Sequence, residues 1–278
     1  IRNMCRWAIV SRSGYYEWRD RPVSATQRWR DELGDIIEVL FADSDGTYGY
    51  RRIHADLQRA GRPCDPQTVR VLMAERGLVA CQPRPRGPRT TIPAASGALP
   101  DLVNRDFTAD EPGLKLVGDI TYIPTWQGWV YLATVLDCCT KKVVGYAMAE
   151  HMRTELVVDA LKMAIINGHT RHGETIFHSD RGTQYMSAEF AEFTRDAGIV
   201  RSVGRTGICY DNAWAESFNA TLKVERVHRT VYPTRRHAIG DIARYIELRY
   251  NQRRLHSALQ YRTPNEAEQD WYETNKAA

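Results

Sequence analysis

No stretch of this 278-residue chain approaches the ~20 consecutive apolar residues that a membrane-spanning helix requires, so no membrane partner is expected. A secretory leader is not expected either, because the opening IRNMCRWAIVSRSG sets arginines inside the only candidate apolar stretch. Cysteine is scarce and unpatterned: Cys5, Cys64, Cys81, Cys138, Cys139 and Cys209 contain no C-x-x-C pair, and two of them are adjacent. That argues against a zinc ribbon or a disulfide framework and fits a reducing cytosol. His169 and His172 form H-x-x-H without a cysteine pair at finger spacing, so no thiolate or imidazole metal centre is expected. Internal repeats and a sustained heptad are missing, and lysine is absent from the first hundred residues. What remains, 43% hydrophobic and 26% charged residues, is ordinary for a globular chain of about two structural units. The chain begins at Ile1, not Met, which suggests a trimmed or fused product.

The formal charge of +4 conceals an uneven distribution. Residues 1–100 hold sixteen Arg against eleven acids, a net of +5, and residues 101–278 come to −1. Within that second part, residues 223–262 carry ten basic residues against Glu225, Asp241 and Glu247. Two basic blocks therefore flank a stretch that is acidic on balance. Such blocks either neutralise phosphates or form solvated helix faces.

Proline marks the main boundary. Pro83, Pro85, Pro88, Pro93 and Pro100, interleaved with Arg84, Arg86 and Arg89, cannot build a core and read as an extended linker. Ahead of it the signals are helical. A helix over Ile53–Ala60 ends at Gly61, and a second opens with Asp65 as N-cap and Pro66 at the first position, carries Val69, Leu72 and Met73, and closes at Gly77. The pair reads as a helix-turn-helix or as a plain helical hairpin. In the first reading Gln67, Thr68 and Arg70 face a DNA groove while Arg51 and Arg52 approach phosphates.

After the linker, LKLVGDITYI, GWVYLATVLD and KKVVGYAM predict three antiparallel strands. A helix capped by Thr154, a short strand ETIFHSD, a helix from Ser187 to Ala197, a strand IVRSV and a longer helix from about Asp211 follow. The order βββαβαβα predicts an α/β fold with two crossover strands added to the first three.

Asp119 shares a strand face with Val117, Thr121 and Ile123, where an ionised carboxylate needs compensation unless the strand edge is exposed. Asp180 stands where the fourth strand ends, a place for either an active-site acid or a turn former. In the last helix Asn212, Glu216, Asn219 and Lys223 fall on one face, beside an apolar stripe of Ala215, Phe218 and Leu222. That polar face either meets water or aims Glu216 at Asp119 and Asp180, with Lys223 reaching for a phosphate and Asn212 and Asn219 as further DNA contacts. Three carboxylates without thiolates favour Mg²⁺ or Mn²⁺, and two such ions suit phosphodiester chemistry. Asp137 is a rival acid or a turn cap, and Asp211 reads as a helix N-cap. His178 either touches the scissile phosphate or packs. Arg253 and Arg254 complete the candidate phosphate contacts.

Taken together and in order, GDITYI, HSDRGTQY and DNAWAESFNATLK resemble the three catalytic blocks of bacterial insertion-sequence transposases with a retroviral-integrase-like core. Thirty-five residues separate Asp180 from Glu216, the interval of that family, and Lys223 matches its usual basic residue. YNQRRLHSALQYRTPNEAE resembles its C-terminal block, and SRSGYYEW and YGYRRI resemble the second-frame product of two-frame elements. The resemblance implies a ribonuclease-H-like core in which Asp119, Asp180 and Glu216 bind two divalent ions, Mg²⁺ or Mn²⁺. It implies cleavage of a 3′ end and attack by the freed 3′-hydroxyl on a phosphodiester. The implied partners are the element's terminal inverted repeats, target DNA, further copies of the chain, and an upstream first-frame product joined by fusion or association. The implied location is the bacterial cytoplasm, at the nucleoid. The expected organisation is a helical segment (1–42), a helix-turn-helix-like DNA-binding domain (43–81), a Pro/Arg-rich linker (82–108), an integrase-like catalytic core with C-terminal basic helices (109–272) and a tail (273–278).

Overall fold

The computed structural model describes residues 1–82, 99–204 and 213–276. Asp211, Asn212 and most of the proline-arginine linker lie outside the described residues. The chain divides into two compact units, Ile1–Cys81 and Gln82–Ala278. No helix among the described residues is long and apolar enough to cross a membrane.

The first unit is all helix: α1 (Arg2–Trp7), α2 (Arg12–Arg19), α3 (Ala25–Asp43), α4 (Tyr50–Arg59) and α5 (Pro66–Glu75). Asp65 caps α5 by accepting from the Gln67 and Thr68 N–H groups at 2.8 and 3.3 Å, and Pro66 follows as its first residue. The buried faces are Leu33 and Ile37 of α3, Ile53 and Leu57 of α4, and Val69, Leu72 and Met73 of α5. The helix pair thus shares one core with a longer helix ahead of it. Arg76 lies across Gly34 of α3 and donates to Asp35 (2.9 Å), Glu38 (2.7 Å) and the Asp31 carbonyl (2.9 Å). A Cβ at residue 34 would stand 2.2 Å from that guanidinium, so glycine makes room for the clamp.

The second unit is built on a five-stranded sheet: β1 (Lys115–Thr125), β2 (Gly128–Asp137), β3 (Val143–Ala149), β4 (Ile176–Ser179) and β5 (Val200–Val203), in the order β3-β2-β1-β4-β5. The first three strands are antiparallel, and β4 and β5 join in parallel, as the sequence order predicts. Between them run α6 (Thr154–Ile166) and α7 (Ala188–Asp196), and after β5 come α8 (Ala213–Glu225), α9 (Arg235–Arg244), a π-helical turn (Tyr245–Asn251) and α10 (Pro264–Lys276). The N-cap of α6 is Arg153, without a side-chain bond, and Thr154 is already helical, which corrects the expected cap by one residue.

Strand alternation sorts the side chains into two cores. Val117, Ile123, Val130, Leu132 and Leu136 face α8 and α9, burying Ala215, Phe218, Leu222 and Ile242. Leu116, Ala133, Val135 and Val144 face α6 and α7, burying Leu161, Ala164 and Phe190. Helix α6 comes so close that a Cβ on Gly145 would stand 2.2 Å from the Ala160 carbonyl oxygen. Two apolar layers on a mixed sheet leave its strand ends as the place for polar chemistry.

Candidate active site

Register determines the geometry. Strands β1 and β4 pair only over Lys115–Val117, with Val117 opposite His178. Two residues further along both strands stand Asp119 and Asp180, on neighbouring strands ~5 Å apart. Asp119 faces α8 within the sheet, and Asp180 is exposed at the first position beyond β4. On the opposite face of β1, the residue before Asp119 is Gly118, where a Cβ would stand 2.4 Å from the Phe177 ring. The Asp180 carboxylate accepts from the Gly182 N–H at 2.9 Å.

Helix α8 delivers the third carboxylate. Its apolar stripe, Ala215, Phe218 and Leu222, is fully buried against the sheet, which turns the adjoining polar face toward Asp119. Glu216 is exposed in the first turn. Asn219, one turn later, donates from Nδ2 to Asp119 Oδ2 at 2.8 Å, while its Oδ1 is buried without a hydrogen-bond partner. Lys223, half-buried, sets its ammonium 4.6 Å from the centre of the Tyr122 ring.

The electrostatics follow from this crowding. Burial, reinforced by the Asp180 charge and more weakly by Glu216, pushes the Asp119 carboxyl up to about 7, against the Ile120 N–H and Asn219, which favour the ionised form. Although Asp180 as a residue is exposed, the protein around its carboxylate shields it from water and raises it too, opposed by the Gly182 N–H and His178. Burial lowers Lys223, which Asp119 partly restores. Tyr185, buried beside both aspartates, is raised well above an ordinary phenol by burial and then by their charges. Among the described residues, no three His, Cys, Asp or Glu side chains stand close enough to close on one ion. The donor set is nonetheless all oxygen and flanked by an orphaned amide oxygen, which is the chemistry of a hard divalent cation.

The structure takes three of the expected DNA contacts into the interior. Asn219 is 6% exposed and serves Asp119. His178 is fully buried, with Nδ1 2.8 Å from Ser202 Oγ and its ring edge-on to Phe107. Arg254 is 6% exposed and is bound to Glu225, its Nη2 2.7 Å from Oε1 and its Nε 3.0 Å from each carboxylate oxygen. A guanidinium enclosed in this way has no reach to a phosphate. Asp137 is a turn cap, accepting from the N–H groups of Gly113, Cys139 and Thr140 at 2.7–2.8 Å, and does not enter the acidic site. Arg253, Arg51, Gln67 and Arg70 are exposed, and Arg52 and Thr68 are partly so. Arg51 and Arg52 also lie over the rings of Tyr50 and Tyr48.

Sequence reasoning missed what holds α8 in place. Tyr245 Oη donates to Glu225 at 2.8 Å beside Arg254, closing a buried triad at the last residue of the helix. The next residue, Arg226, donates to Asp241 at 2.8 Å, and Tyr232 Oη joins the same carboxylate at 2.8 Å. Arg226 and Tyr232 hold Asp241 below the usual carboxylate range despite its burial, and Glu225 keeps Arg254 charged against its own. The available signal was the presence of only three acids, Glu225, Asp241 and Glu247, inside a block of ten bases.

Comparison with known proteins agrees with this architecture. The integrase core domain family matches residues 109–209, a second integrase core domain family matches 197–264, and an HTH-like domain family matches 28–86. The chain is 36% identical over 259 residues to transposase InsF for insertion sequence IS3A of Escherichia coli (strain K12), covering 92% of this chain and 90% of that protein. It is 37% identical over 248 residues to the transposase for insertion sequence element IS904 of Lactococcus lactis, covering 89% and 98%. Among solved structures, the HTLV-2 integrase catalytic core domain in complex with magnesium aligns with a TM-score of 0.45 and 17% identity, over 57% of this chain and 98% of that one.

Proposed function

This chain belongs to the insertion-sequence transposases of the IS3 type, and from that premise we propose that Asp119, Asp180 and Glu216 carry its strand cleavage and strand transfer. The supporting observation is the juxtaposition at the end of β4: Asp119 beside Asp180, facing the helix that bears Glu216, with the Asp119 carboxyl pushed up to about 7 by burial and then by the charge of its neighbours. Carboxylates assembled where they repel one another raise the folding cost unless a cation joins them.

The three side chains would hold two divalent ions, Mg²⁺ or Mn²⁺. When bound, such ions supply activation of a hydroxyl nucleophile and charge stabilisation at the leaving oxygen. The remaining work falls to the chain itself. Asn219 orients Asp119 through its 2.8 Å bond to Oδ2, with the Ile120 N–H as a further donor to the carboxylate. Lys223 brings a positive charge within electrostatic reach of Asp119, where a scissile phosphate would lie. The network of Glu225, Arg254 and Tyr245 fixes the far end of α8 and so the height of Glu216 above the sheet.

Beyond the acids, Arg253 and the exposed faces of α4 and α5, with Arg51, Arg52, Gln67, Thr68 and Arg70, are proposed DNA contacts. Asn212 is proposed as another. The DNA is proposed to comprise the element's terminal inverted repeats and the target, bound by several copies of the chain together with the upstream first-frame product, at the bacterial nucleoid. The test is an end-joining assay on oligonucleotides carrying the element's own ends. Joining should require Mg²⁺ or Mn²⁺, with Mn²⁺ binding to the protein followed in parallel by its paramagnetic signal. Joining in excess chelator, or no Mn²⁺ binding at all, would overturn the assignment.

A further inference from the structure

Tyr122 of β1 and Trp129 of β2 form an aromatic pair that neither the core nor the acids account for. Tyr122 is 54% exposed and Trp129 48%, and their rings meet edge to face with centres 4.9 Å apart. Register puts both on one face of the sheet, since Tyr122 pairs with Tyr131 and Pro124 with Trp129. That is the face opposite Asp119, but β4 pairs with β1 only as far as Val117, so among the described residues no strand covers that edge of β1 beyond Gly118. Lys223 reaches from α8 to that edge and sets its ammonium 4.6 Å from the Tyr122 ring centre, while its charge is felt at Asp119. One lysine therefore links the acidic site on one side of the strand to the aromatic pair on the other.

Single exposed aromatics are common, but two rings in contact under a cation form a surface of defined chemistry. A flat apolar face beside a positive charge suits a nucleotide: the base stacks and the phosphate is neutralised. Spacing agrees. Tyr122 lies three residues beyond Asp119, ~10 Å along the strand, about one to two nucleotides of extended single strand. A base inside a duplex cannot offer its face to a ring, so the occupant has to be unpaired.

We propose that Tyr122 and Trp129 form a stacking platform for an unpaired nucleobase of the DNA strand whose phosphate Lys223 holds beside Asp119. The proposal rests on the assignment of the acidic site above. It implies that the end of the DNA is opened by a nucleotide or two at the moment of cutting, and that Lys223 leaves the Tyr122 ring for the phosphate as the base arrives.

The test uses the full chain and element-end oligonucleotides with 5-iodouracil placed singly at positions flanking the scissile phosphate. Long-wavelength irradiation joins this base to an aromatic ring stacked on it, and mass spectrometry of the peptides identifies the ring. Crosslinks to Trp129 or Tyr122 are expected, from one or two adjacent positions. Trp129→Ala and Tyr122→Ala should remove them and weaken single-strand binding about 5- to 100-fold, with Trp129→Phe and Tyr122→Phe close to wild type and all four variants melting near the parent. Crosslinks confined to other residues, or alanine variants that bind as the parent does, would overturn the platform. So would a second copy of the chain covering the patch, seen as a dimer that Trp129→Ala dissociates while crosslinking stays absent. Mg²⁺-dependent cleavage by the parent keeps the two claims separable: cleavage without the crosslink removes the platform alone, and the crosslink without cleavage removes the assignment of the acids alone.

Discussion

Asn219 Nδ2 donates to Asp119 Oδ2 at 2.8 Å, joining the middle of α8 to the middle of β1 across 100 residues of sequence. The bond holds Oδ2 of Asp119 and defines the distance from sheet to helix, and with it the place of Glu216, three residues earlier on the same helix. Asn219 itself is buried and its Oδ1 is unpartnered, so it contributes direction more than stability.

Replacing Asn219 by Ala should therefore lower single-turnover end cleavage by about 10- to 100-fold, the worth of one hydrogen bond to a charged group. Duplex affinity should stay within about 2-fold, because the residue does not reach DNA. The Mg²⁺ concentration for half-maximal cleavage should rise, a shift that simple loss of folded protein would not produce.

Stability should respond to Asp119 in an unusual direction. Because the folded-state carboxyl is raised to about 7, the folded chain binds more protons than the unfolded chain between about pH 4 and about pH 7. Stability from this group is thus full below about pH 4 and is lost as pH rises through about 7. Asp119→Asn should melt higher than the parent at pH 8, by on the order of 5 °C without divalent ions, and the difference should shrink toward pH 4. Mg²⁺ should raise the melting temperature of the parent more than that of the variant. Calorimetric scans across pH check both effects.

The two adjacent arginines of the C-terminal block should behave differently. Arg254→Ala strands the buried Glu225 carboxylate and should cost about 3–5 kcal/mol in urea unfolding, with Arg254→Met paired with Glu225→Leu recovering most of it. Arg253→Ala should leave stability alone and flatten the dependence of log K on log salt by roughly 0.9, the share of one phosphate contact. Lys223→Ala should flatten it by a similar amount.

Gly118→Ala should destabilise by about 1–3 kcal/mol, because the added Cβ would stand 2.4 Å from the Phe177 ring in a filled core. Thermal melting of the variant measures it, and cleavage per folded molecule should fall as well, since Asp119 is the next residue.

Much of this architecture was legible in the sequence, and the reason is periodic patterning. Runs rich in strand-forming residues between turn-like segments gave β1, β2 and β3 to within two residues, and the stripe of Ala215, Phe218 and Leu222 oriented α8 correctly. The capping pair Asp65 and Pro66 located α5 to the residue. What escaped was the destination of polar side chains. Arg254 sits beside Arg253 in a basic block, and only the fold brings Glu225, 29 residues earlier, against one and not the other. His178 shares a strand face with Asp180, but it lies inside β4, where Ser202 and Phe107 cover it, whereas Asp180 stands past the strand end. Asn219 was placed on the right helix face, yet that face meets a carboxylate before it meets DNA. Spacing says which side chains share a face, whereas burial of their partners decides what they bind.

The central claim is that Asp119, Asp180 and Glu216 act as one site, and cleavage and joining of element-end oligonucleotides by Asp119→Asn, Asp180→Asn and Glu216→Gln test it most directly. With Mg²⁺ present, each variant is predicted to lose at least about 10³-fold in both steps while binding the same DNA within a few-fold of the parent. Strand transfer at the parental rate in any one of the three, with the protein folded and bound, would contradict the account.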